Sequence, residues 1–79
     1  MNKPTIAIVE DEVDILNLLR FNFESAGYTV LTALEGNEAV SMIRRELPDL
    51  VLLDIMLPGK DGFDVCKAVK SDERTKGIP

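Results

Sequence analysis

Thr5-Ile6-Ala7-Ile8-Val9-Glu10-Asp11-Glu12 opens with five apolar or β-branched residues and breaks without transition into three acids. A strand that is apolar at every position, rather than at alternate ones, has both faces covered and belongs to a parallel sheet. From Val13 the period changes. Leu16, Leu19, Phe23 and Ala26 recur at steps of three, four and three, which predicts a helix with one apolar stripe. Gly27 stands where a left-handed residue would end that helix. Tyr28-Thr29-Val30-Leu31-Thr32 predicts a second strand, and Gly36-Asn37 predicts a turn and a helix N-cap. Val40, Ile43 and Leu47 form the next helical stripe, stopped by Pro48-Asp49. Leu50-Val51-Leu52-Leu53 is again continuously apolar and is ended by Asp54. After the loop Leu57-Pro58-Gly59-Lys60-Asp61-Gly62, a third helix is expected over about 63–70, with Asp61 at its N-cap and Cys66 and Val69 on one side. A polar tail leads to Ile78-Pro79, read as the first step of a fourth strand.

Three strand–helix units with right-handed crossovers predict an α/β fold, a doubly wound parallel sheet truncated to (βα)3. With strand order 2-1-3, strands one and three are neighbours whose connections leave in opposite directions. Such a topological switch point binds ligands beyond the carboxyl ends of its strands.

Composition narrows what such a site can do. The 79 residues suffice for one small domain, and a chain of this size buries only a little over about 60% of the surface its unfolded form exposes. A hydrophobic fraction of 46% excludes a disordered chain, and four-residue apolar runs are too short to span a membrane. No basic segment precedes an apolar stretch at the amino end, so no signal peptide is expected. One cysteine, Cys66, excludes an internal disulfide framework, fits a reducing cytoplasm, and is expected to be a core or half-buried small apolar residue. Fourteen acids against nine bases give a net charge of −5, which argues against direct contact with nucleic acid. The absence of histidine excludes His-based acid–base chemistry and His metal ligation.

Glu10-Asp11 ends strand one and Asp54 ends strand three, so adjacency of these strands crowds three carboxylates on one rim about 5 Å apart in the sheet. Two unit charges about 4 Å apart repel by roughly 4 kcal/mol at an effective dielectric near 20. The residues alone leave two outcomes, a proton held at raised pKa or a bound cation. Oxygen-only ligation suits a hard ion, Mg²⁺ before Ca²⁺ or Zn²⁺. Taken singly, Glu10-Asp11-Glu12 also reads as acids set against a helix dipole, and Asp54 as a turn residue. The acids would repel a phosphate placed directly in the first loop, which argues against a flavin or dinucleotide cradle.

Ile8-Val9-Glu10-Asp11-Glu12, Ala26-Gly27-Tyr28, Gly36-Asn37-Glu38-Ala39 and the stretch from Pro48 to Phe63 together resemble the receiver domains of two-component response regulators. The resemblance runs along the whole chain, and its style is that of regulators whose output half is a winged-helix DNA-binding domain. It implies a flavodoxin-like fold and a cytoplasmic signalling module that is not an enzyme. Asp54 would accept a phosphoryl group from a histidine kinase. Asp11 and Asp54 would ligate Mg²⁺, Glu10 directly or through water, and the backbone carbonyl of Met56 would complete the set. Pro58 and Gly59 would shape the loop, and Gly62 would let the next helix start closely packed.

Receiver domains have five strands, so residues 1–79 are expected to be the first two-thirds of one. The Ser/Thr ending strand four and the Lys ending strand five, which read the phosphate, would lie beyond this chain. Phosphorylation of these 79 residues alone is therefore expected to be weak. The strand Leu50–Leu53 becomes an apolar edge, which predicts a homo-oligomer through that edge or by exchange of elements. The alternative function is a truncated receiver-like interaction module that self-associates without phosphorylation. A phosphatase with an Asp nucleophile would need an acid at position 56, where Met56 stands.

Overall fold

The computed structural model describes residues 3–53, 62–75 and 77–78, with side chains at 62 and 63 left aside. Strand β1 (Thr5–Val9), helix α1 (Val13–Ser25), strand β2 (Thr29–Ala33), helix α2 (Gly36–Glu46), strand β3 (Leu50–Leu53) and helix α3 (Gly62–Ser71) follow in chain order. The strands form one parallel sheet in the order β2-β1-β3. Val9 lies level with Ala33 on one side and with Leu53 on the other. The α/β doubly wound architecture is as the sequence predicts.

Alternation along β1 divides its side chains between two cores. Ile6 and Ile8 pack with Leu16 and, around them, Leu19, Phe23 and Tyr28, on the α1 face. Ala7 and Val9 pack with Ala39, Val40, Ile43, Val65 and Val69, on the α2–α3 face. Ile6 to Val9 are essentially fully buried, as a parallel strand with two covered faces requires.

The end of α1 shows how local chemistry sets the path. Gly27 takes a φ of +99°, and its backbone N–H donates to the Glu24 carbonyl while that of Tyr28 donates to the Phe23 carbonyl. This is a Schellman ending, with the apolar contact that accompanies it made by Phe23 and Tyr28, whose rings meet edge to face at 5.5 Å. Ala26, expected on the buried stripe, is instead the exposed C-cap residue. The turn consumes it and Tyr28, so β2 begins at Thr29 and runs through Ala33, one residue later than predicted.

Helix α2 departs from expectation at both ends. Its N-cap is Glu35, whose Oε1 accepts from the Glu38 backbone N–H at 2.6 Å, so Asn37 lies inside the helix. Leu47, expected in the buried stripe, is the C-cap residue at φ 48°, and its side chain is 49% exposed. A left-handed non-glycine residue costs about 1–2 kcal/mol, which this chain accepts to turn directly into buried Pro48 and β3. Asp49 fastens that turn to β1, since its Oδ2 accepts from the Thr5 N–H at 2.7 Å while its own N–H donates to the Thr5 carbonyl at 2.8 Å.

Helix α3 buries Val65 and Val69, with Ala68 packed beside them, and this face turns Cys66 outward. Cys66 is exposed, contrary to the expectation of a core or half-buried residue. Beyond α3 the chain folds back on the helix. Thr75 is buried and its Oγ1 donates to the Val69 carbonyl at 2.6 Å. Ile78 donates its N–H to the Thr75 carbonyl, so this residue closes a turn and is not in a strand.

Asp72 links this turn to α2. Its Oδ2 lies 3.1 Å from Arg74 Nη2 and 3.4 Å from Arg44 Nε, and its Oδ1 accepts from the Arg74 backbone N–H. Hydrogen bonds from the Arg74 guanidinium and then its N–H, with the charge of Arg44 adding less, hold the Asp72 carboxyl below its ordinary value. Because folding lowers this pKa, the contribution is complete above the unfolded carboxyl's pKa and is lost as pH falls through the lower folded value. Asp72→Asn is therefore expected to destabilise the chain at neutral pH, with the deficit shrinking below about pH 4. Urea unfolding at several pH values measures this, and a deficit that stays constant into acid would contradict it.

Candidate functional site

The carboxyl ends of β1 and β3 converge on one rim. The Val9–Leu53 register brings the chain out of both strands at the same level, and neighbouring strands lie about 4.8 Å apart. From β1 the rim receives Glu10 and Asp11. The Glu10 N–H donates to the Ala33 carbonyl at 3.1 Å, which carries the β1–β2 pairing one step past the strand. Glu10 is half-buried, and its Oε1 accepts from the Glu12 backbone N–H at 3.1 Å. Asp11 and Glu12 are exposed.

Glu12 is the N-cap residue of α1 but makes no side-chain capping bond, and Asp14 follows in the first turn. Glu10 thus satisfies a backbone donor at the approach to α1, and the neighbouring acids favour the positive end of the helix dipole. Glu10 also borders a groove of about 240 Å³ whose other walls are Ile8, Val9, Leu19, Leu52 and Leu53.

Asp54, Met56, Pro58 and Gly59, together with the predicted cap Asp61, lie outside the described residues. Gly62 opens α3. Among the described residues no group of three or more carboxylate or cysteine side chains is gathered tightly enough to hold a metal ion. Glu10, Asp11 and Glu12 alone therefore do not make a cation cage.

Two residues near this end were missed from the sequence. Glu35, in the β2–α2 turn, follows Ala33 by two positions, is half-buried, and anchors the start of α2. The acid at Glu35 with Glu38 three residues on was the available signal, eclipsed by the more typical Gly36-Asn37. Leu34 beside it is an exposed apolar residue.

Comparison with known proteins agrees with this geometry. The sequence profile of the response regulator receiver domain matches residues 6–79. A response regulator from Chloroflexus aurantiacus superposes with a TM-score of 0.94 at 37% identity, over 99% of this chain and 64% of that one. The N-terminal domain of a response regulator receiver protein from Methanoculleus marisnigri gives 0.90 at 37% identity, over 95% of this chain and 61% of that one. The receiver domain of a sensor histidine kinase from Pseudomonas aeruginosa, with a magnesium ion coordinated in its active-site cleft, gives 0.94 at 27% identity, over 99% and 64%. The chain belongs to the response regulator receiver domain family. It spans less than two-thirds of the length of each of these structures. No helix among the described residues is long and apolar enough to cross a membrane.

Glu35 gives a direct test of how the rim is built. Glu35→Ala is expected to cost roughly 0.5–2 kcal/mol, the range for losing an N-cap side chain, whereas Glu35→Asp should keep most of that stability. Chemical denaturation compares the three proteins, and equal stability of Glu35→Ala and the parent would contradict the assignment.

Proposed function

We propose that residues 1–79 are the phosphoacceptor portion of a receiver domain, with Asp54 the residue that takes a phosphoryl group from the phosphohistidine of a histidine kinase. The observation that carries this reading is the level exit of β1 and β3, which delivers Glu10 and Asp11 to the rim where the chain leaves Leu53 for Asp54. In the proposed step an Asp54 carboxylate oxygen attacks phosphorus, the P–N bond breaks, and the imidazole leaves with the electron pair and takes up a proton. The product adds about −1.5 to −2 charges beside existing acids, so charge neutralisation decides whether it forms.

Mg²⁺ is the proposed cofactor, and it would supply that neutralisation. The donor chemistry fits, since every residue in question offers oxygen and a hard cation prefers oxygen. Asp11 and Asp54 would hold it directly, with the Met56 backbone carbonyl. Glu10 would act directly or through water, and its anchored Oε1 fits a positioning role in which one oxygen is committed to the Glu12 N–H. Pro58, Gly59 and Gly62 would shape the loop between Met56 and α3. The output is proposed, on the resemblance alone, to be a DNA-binding domain acting in the cytoplasm.

Phosphorylation by a small-molecule phosphodonor tests this. Incorporation is expected to need Mg²⁺, to be sensitive to hydroxylamine as an acyl phosphate is, and to vanish in Asp54→Asn. Asp11→Asn should weaken Mg²⁺ binding by at least the 10–100-fold typical of losing even an outer-shell partner. Label retained in Asp54→Asn would overturn the assignment.

A second reading, self-association, rests on β3. Four consecutive apolar residues lie half-buried there, and among the described residues nothing pairs with the strand's outer edge. Such an edge is a template for another strand. Sedimentation of these 79 residues is expected to show mass rising with concentration, and a compact monomer throughout the micromolar range would contradict it.

A further inference from the structure

We draw no further inference here: the strongest candidate, the apolar cavity between β3 and α3 bounded by Val51, Leu53, Val65, Val69 and Ile78, carries nothing, because nothing in the structure shows what covers it.

Discussion

Strand β1 is paired on both edges and buried on both faces, and the remaining elements are arranged around that constraint. Its backbone groups are spent on two parallel ladders. Its side chains divide between the α1 core and the α2–α3 core. A parallel strand so enclosed has no place for a charged side chain along its length. Charges can enter only where the ladder stops, and in this chain three acids stand there. The acids at this rim are therefore a consequence of how the core is made, since fully buried Val9 is followed directly by the first acid, Glu10.

The same geometry sets the electrostatic problem that the site has to solve. Glu10, Asp11 and Glu12 follow the strand and precede α1, and the dipole of that helix offsets part of their mutual repulsion. Glu10 is tied by its own backbone to Ala33 and by its side chain to the Glu12 N–H. Its carboxylate is thus held by the turn. The acids remain concentrated at one end of the sheet, and the proposed function meets that concentration with a hard cation. The magnesium-containing receiver domain to which its fold is similar supports this proposal.

Much of this was legible in the sequence. The continuous apolar runs at Ile6–Val9 and Leu50–Leu53 announced buried parallel strands, and Glu10 and Asp11 announced the rim. What escaped was decided by short-range competition among backbone groups. Glu35 took the cap that Asn37 was expected to provide, because a longer side chain one residue ahead of Gly36 reaches the Glu38 N–H. Leu47 fitted the helical period but was spent on a left-handed turn before Pro48. Cys66 fell outside its helix's buried face because Val65, Ala68 and Val69 define that face. Asp72 is held mainly by Arg74, two residues on in the turn after α3, while its weaker link to Arg44 in α2 joins positions distant in sequence, which no local pattern pointed to. Asp54 and Met56 rest on the resemblance and on the exit of β3.

The most direct test of the central claim is to map where a divalent cation binds. Mn²⁺ added in place of Mg²⁺ broadens nearby amide resonances in an NMR spectrum. Broadening should centre on Val9 to Glu12 and on Leu53 with the residues that follow it, and it should be lost in Asp11→Asn while the fold is retained. Broadening centred at the opposite end of the sheet, around Thr5 and Asp49, or none at these strand ends, would contradict the account.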